Sequence, residues 1–196
     1  MKFEIIKFKS VTSTNDVAIN LIKKRKKMNG CVYSEMQTKG RGTYGKKWIS
    51  LKGNLFISLF FPLEKGYPGF SEFSFISPLI ILDTIKKFCD PEKLKLKFPN
   101  DILFNKKKIC GILQELITQN NKEFLIIGIG LNITSNPNIN NEYKATNIYL
   151  ESEQKPTTKE LRNLIISSYK IFFKNLSSYN YEDFKNKAKN LSIVKK

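Results

Sequence analysis

Two kinds of apolar spacing divide this chain into elements. "FEIIKF" near the start predicts a short strand. Val17, Ala18, Leu21 and Ile22 then share one helical face. With Ser13 or Thr14 as cap they predict a helix through Lys24, Gly30 ending the turn that follows. "CVYSEM" and "NLFISLFF" read as strands on either side of a glycine-rich loop, and Pro62, Gly66, Pro68 and Gly69 mark an irregular connection. Ser77-Pro78 predicts a helix start with proline in its first position and "LIILDTIKKF" as its buried face. "LKLKF" alternates as a strand until Pro99. "DILFNKKKICGILQELI", turned at residues 105–107, and "EFLIIGIGLNI" predict further antiparallel strands, with Asn120-Asn121 as a turn. After a polar, Asn-rich stretch, Thr157 and Glu160 form a capping box. It opens a helix with the stripe Leu161, Leu164, Ile165, Tyr169, Phe172, Phe173 and Leu176, and "YEDFKNKAKNL" adds a short last helix. The expected class is α+β, a mainly antiparallel or mixed β-sheet with helices packed on it.

Composition narrows the functions. A chain of 196 residues, 41% hydrophobic and 12% aromatic, fits one globular domain with a real core. No apolar run approaches the ~20 residues of a membrane span, and "MKFEIIKFKS" is too short and too charged for a signal peptide. Cys31, Cys89 and Cys110 are scattered with no C-x-x-C pair, so reduced thiols in a cytoplasm are expected. The sequence has no histidine, which excludes Ser-His triads, histidine-metal sites and imidazole acid–base chemistry. Lys and Arg number 34 against 17 acidic residues, a formal charge of +17. That balance favours anionic partners such as nucleotides, nucleic acid or an acidic protein. The lysines are nevertheless spread along the chain, and the one dense run, "KKRKK", reads as a solvated helix end suited to the negative end of the dipole.

The loop "KGRGTYGKKW", residues 39–48, fits two glycine templates: G-x-G-x-x-G through Gly40, Gly42 and Gly45, and nearly a P-loop with Lys46 in the lysine slot. Both need a helix directly after the loop. "KKWISLKGNLFISLFFP" shows no helical stripe and is broken at Gly53-Asn54, and Lys47 stands where a P-loop has Ser or Thr. A glycine-rich basic loop between two strands is what remains: either a wrap for an anion or a plain solvated hairpin connection.

"STN" (residues 13–15), "QTKGRGTYGKKW" (37–48), "KFPND" with "KKICGIL" (97–113) and "GIGLN" (128–132) occur in this order. Together they resemble the catalytic domain of biotin protein ligases. The resemblance covers residues 3–135 well and the C-terminal helices loosely. It implies one catalytic domain over 1–196, with a core at 3–135 and C-terminal helices at 157–191, in the class II aminoacyl-tRNA-synthetase-like biotin/lipoate ligase fold. The implied reaction joins biotin to ATP as biotinyl-5′-AMP, with Mg2+. A lysine of a biotin carboxyl carrier domain, of acetyl-CoA carboxylase or a related carboxylase, then takes the acyl group. Such chemistry needs no histidine, because the obstacle in its first step is repulsion between anions, which fixed cations and amides reduce.

Carried over by motif, Ser13, Thr14 and Asn15 resemble the family's biotin-binding turn, and Gln37 its biotin-contacting glutamine. An ordinary helix cap and a surface residue are the plain alternatives. Arg41 matches the arginine that meets the biotin carboxylate and the phosphates, while Gly40, Gly42 and Gly45 let the loop close, with Thr43 beside them. Lys108, three residues before Gly111, is the expected catalytic cation, with Arg41 as its partner in charge neutralisation. Lys46, Trp48 and Asn132 match the nucleotide side; Trp48 reads equally well as a core residue. Lys97, Asn100 and Asp101 match the segment that positions the acceptor lysine or magnesium, Asp101 otherwise being a turn cap.

Departures from the pattern set further expectations. Thr43 and Lys46 stand where the family loop commonly has arginines, so a leakier adenylate is expected. Phe98 replaces a tryptophan and keeps an aromatic body. The resemblance begins at residue 3, which leaves no room for an N-terminal DNA-binding domain, so operator DNA is not an expected partner. The chain ends at "NLSIVKK", where many relatives continue into an SH3-like domain. Oligomeric state is open, a homodimer included. Two other readings stand beside the ligase: a degenerate biotin binder without catalysis, and a basic nucleic-acid-binding module.

Overall fold

In the computed structural model, which describes residues 1–138 and 144–193, seven strands form one mixed sheet in the order β1-β2-β3-β7-β6-β5-β4. They are β1 (Ile5–Phe8), β2 (Gly30–Ser34), β3 (Leu55–Pro62), β4 (Leu94–Lys97), β5 (Asp101–Phe104), β6 (Lys107–Gln119) and β7 (Lys122–Leu131). Only β1 and β2 pair in parallel, joined by helix α1 (Thr14–Arg25); every other pair is antiparallel. The β5–β6 and β6–β7 hairpins turn at Asn105-Lys106 and Asn120-Asn121, all four with positive φ. Residues in that conformation match the twist of the strands they join, and asparagine tolerates it.

Period-two alternation sorts the strand residues onto two faces. Leu55, Ile57, Leu59 and Phe61 of β3 and Leu125, Ile127, Ile129 and Leu131 of β7 point into the main core. There they meet α2 (Phe73–Ile85), α4 (Thr158–Lys174) and Ala188 of α5 (Tyr181–Asn190). On the other face Phe60, Phe124 and Ile126 pack under Ala18, Leu21 and Ile22 of α1. That helix covers only part of the face.

Several boundaries differ from expectation: β1 begins at Ile5, and α4 ends at Lys174, before Leu176. α2 starts at Phe73, not at Pro78, which lies inside the helix. Proline there forfeits one bond to the carbonyl four residues back, but Phe73 and Ile76 are fully buried and extend the apolar face upstream. Tertiary burial thus overrides the local start signal. The second strand stops at Ser34, before Glu35 and Met36. A short helix α3 (Ile148–Glu151), capped by Asn147, was not expected. The long helix α4 does open at Thr157, whose hydroxyl accepts from the Glu160 N–H at 3.1 Å. The Asn-rich stretch before α3 lies partly outside the described residues. Among the described residues, no helix is long and apolar enough to cross a membrane.

Candidate active site

At the N-terminal edge of α1 and beyond it, the strands carry glycine. A Cβ at Gly128 would stand 2.4 Å from Asn15 Oδ1, one at Gly130 2.4 Å from Trp48 Cε2, and one at Gly111 2.6 Å from Trp48 Cζ3. Gly111 and Gly130 face each other across β6 and β7. The indole therefore lies across a bare two-glycine floor that no side chain could share. Above it opens a cavity of about 680 Å³.

One wall is the N-terminus of α1. Ser13 occupies the cap position, but its side chain does not cap the helix. Gln37 does that work instead, its Oε1 accepting the Thr14 N–H at 2.8 Å. Ser13, Thr14 and Asn15 are all buried. Asn15 Nδ2 donates to Glu115 Oε2 at 2.6 Å and to the Leu113 carbonyl at 3.3 Å, while Asn15 Oδ1 accepts from Ser58 at 2.5 Å.

The glycine-rich loop is a hairpin flap. Arg41 and Lys47 pair as an antiparallel bridge, and Gly42 N–H donates to the Lys46 carbonyl at 2.7 Å. Tyr44 and Gly45 at the tip have positive φ, and Tyr44 is 91% exposed. Gly40 lies beneath the flap rather than on the cavity wall: it is buried, and a Cβ there would meet the Trp48 carbonyl at 2.6 Å. Arg41 makes a two-pronged contact with Glu115, 2.8 and 2.7 Å, and reaches Asp16 at 2.7 Å. The Glu115 carboxylate, chiefly through these hydrogen bonds, pushes the guanidinium still further toward its charged form.

Lys108 and Asp101 come from neighbouring strands and approach to 2.7 Å. This is a charge contact, since the buried Asp101 Oδ1 has no aligned donor. The Lys108 ammonium also lies 5.2 Å from the centre of the Trp48 ring, close enough for a cation–π attraction. Asn132 is held by Nδ2 donation to the Thr146 carbonyl at 2.9 Å, which leaves its buried Oδ1 without a partner. Behind it Asn54 Oδ1 accepts from the N–H groups of Ile133, Thr134 and Ser135, and Asn54 Nδ2 donates back to the Ser135 carbonyl.

The remaining expected residues gather on the same cavity. Lys97, Asn100 and Gly111 line it, as do Gly42, Thr43 and Lys46 of the flap, and Asn100 Nδ2 reaches Thr43 Oγ1 at 3.4 Å. Of the residues expected at the site, Gly40 and Gly45 are off the wall, Gly45 at the exposed tip of the flap. Sequence reading passed over Glu115, Asn54 and Ser58. Asp101 is the one carboxylate in the lining among the described residues. That suits a magnesium ion arriving on phosphate oxygens better than a dedicated metal cage.

Comparison with known proteins gives this geometry a context. The Biotin/lipoate A/B protein ligase family profile matches residues 7–132. The bifunctional ligase/repressor BirA of Escherichia coli K12 is 32% identical over 125 residues, 63% of this chain and 38% of that protein. The biotin–[acetyl-CoA-carboxylase] ligase of Paracoccus denitrificans is 32% identical over 108 residues, 54% of this chain and 45% of that one. The matches thus span less than half the length of these relatives. Biotin protein ligase from Leishmania major, in complex with biotinyl-5-AMP, superposes with a TM-score of 0.84 at 26% identity, covering 100% of this chain and 85% of that one. The Aquifex aeolicus enzyme with biotin and ATP gives 0.77 at 26% identity, covering 97% and 78%.

Proposed function

This chain belongs to the Biotin/lipoate A/B protein ligase family, and from that premise we propose that it activates biotin as biotinyl-5′-AMP and transfers it to a carrier-domain lysine. The observation that carries the reading lies along β7. Asn15 sits over Gly128, Trp48 over Gly130, and Asn132 follows the strand end. At about 3.3 Å per residue, a polar turn and a buried asparagine acceptor stand roughly 13 Å apart over one aromatic floor. That span suits an acyl group at one end and a base at the other.

In the first step the biotin carboxylate attacks the α-phosphorus of ATP, and pyrophosphate leaves. Lys108 is the cation placed beside the floor to lower the repulsion between the two anions and to meet the charge that develops between them. Arg41, held by Glu115 and Asp16, keeps the flap over the cavity and would have to exchange partners to meet a carboxylate. Asn132 Oδ1 offers an acceptor for an exocyclic amine of the base, and Trp48 a face for its ring. In the second step a neutral lysine amine attacks the acyl carbon and AMP departs, a reaction set mainly by placement. Asp101 is the group available to orient that amine. The acceptor class we assign is the biotin carboxyl carrier domain of a carboxylase.

Nucleic-acid binding draws less support: only Tyr44 and Phe70 are exposed aromatics among the described residues, where a stacking surface needs several.

The test is incubation with biotin, Mg2+ and radiolabelled ATP, followed by a carboxyl carrier domain. Labelled biotinyl-AMP and then a biotinylated carrier are expected. Lys108→Ala should lower adenylate formation about 100-fold or more, and Arg41→Ala less. Biotin binding without any adenylate would turn the reading toward a non-catalytic binder.

A further inference from the structure

The hydroxyls beneath the α1 turn have too few protons for their contacts. Thr14 Oγ1, Ser58 Oγ, Asn15 Oδ1 and Gln37 Oε1 form three oxygen–oxygen contacts: Ser58 to Asn15 at 2.5 Å, Ser58 to Thr14 at 2.8 Å and Thr14 to Gln37 at 3.1 Å. Two hydroxyl protons must serve all three. The amides supply none: Asn15 Nδ2 faces the Glu115 carboxylate and the Leu113 carbonyl, both acceptors, which fixes Oδ1 toward Ser58. Gln37 Oε1 is likewise fixed by the Thr14 N–H it accepts, with Nε2 directed to Ser50.

Repulsion between unprotonated oxygens grows as they approach, so the two shorter contacts take the protons. Ser58 donates to Asn15, and Thr14 donates to Ser58. Thr14 Oγ1 and Gln37 Oε1 are then left 3.1 Å apart with no proton between them. Both residues line the cavity. Such a pair is a site for one N–H donor.

We propose that Ser58, held in its direction by Asn15 and Glu115, is a positioning residue that turns Thr14 into an acceptor. The site thereby selects a ligand whose ring carries an N–H, the ureido ring of biotin rather than a ring with no donor. This rests on the ligase reading and extends it to substrate choice within a family that handles both biotin and lipoate. Ser58 is fully buried and is not part of the cavity lining, so it acts through Thr14.

The experiment is titration calorimetry of the whole chain with biotin and, separately, with ATP. Ser58→Ala, and Ser58→Cys, which nearly keeps the volume but accepts the Thr14 proton only weakly, should each weaken biotin on the order of tenfold. ATP affinity should stay at the level of the unmodified protein. Lipoate has the same length of acid chain and no N–H, and it should fail to displace biotin from the unmodified protein. Unchanged biotin affinity in a folded Ser58 variant, equal losses for biotin and ATP, or displacement by lipoate would each overturn the assignment. No biotin binding by the unmodified protein would instead sink the ligase reading, and this inference with it.

Discussion

Asn54 satisfies four backbone groups at once, three N–H donors and one carbonyl of residues 133–135. It is 1% exposed, so truncation leaves those groups facing a cavity rather than water. Asn54→Ala should lower stability by about 2 kcal/mol or more, seen in a urea or thermal melt. The ATP KM should rise while the biotin KM stays nearly constant, because the released segment carries Asn132. The signal for Asn54 and Ser58 was present in the sequence: both are polar at or within an otherwise apolar strand. What the sequence could not show was their partners, 81 residues away for Asn54 and 43 and 44 for Ser58. Glu115 was hidden differently, since a charged residue on a long strand reads as solvent-facing until the flap is placed over it.

The elements with local signals were read well. Both asparagine turns, the α4 cap and the strand order of the hairpins follow from residues adjacent in sequence. α2 was misplaced because Pro78 is a strong local signal for a start, while burial of Phe73 and Ile76 is a tertiary fact. The flap shows the same limit: its glycines were legible, but their separate duties were not. Gly45 supplies a positive φ at the tip, whereas Gly40 admits the Trp48 carbonyl. Gly40→Ala should therefore act on the stem. The Trp48 N–H to Gly40 carbonyl bond, 2.9 Å, would be displaced and the flap would sit less firmly. Adenylate release, followed in a trapping assay, should speed up several-fold while overall stability changes by only about 1 kcal/mol. Thr43→Arg should change the same assay in the opposite direction.

At the level of the whole molecule, the three thiols report on how closed the core is. Cys31, Cys89 and Cys110 are buried and free of disulfides, and burial pushes Cys31 up to about 12 and Cys89 to about 11, with Cys110 also raised. Thiolate is the reactive form. Native protein at pH 8 should therefore resist iodoacetamide over a period in which the urea-unfolded chain reacts at all three sites. The sign of the linked stability follows. Below the ordinary thiol value of 9.0 both states stay protonated; as pH climbs from there toward about 12, the unfolded chain loses protons that the fold retains at Cys31. Stability falls through that window, and Cys31→Val should blunt the fall in urea midpoint.

The chain contains a single tryptophan, and it lies on the glycine floor under the Lys108 ammonium. The protein thus carries its own optical reporter at the point where a base would stack. Titrating nucleotide should change the intrinsic emission in proportion to occupancy, with no label attached, and a flat titration despite binding would move the base away from Trp48.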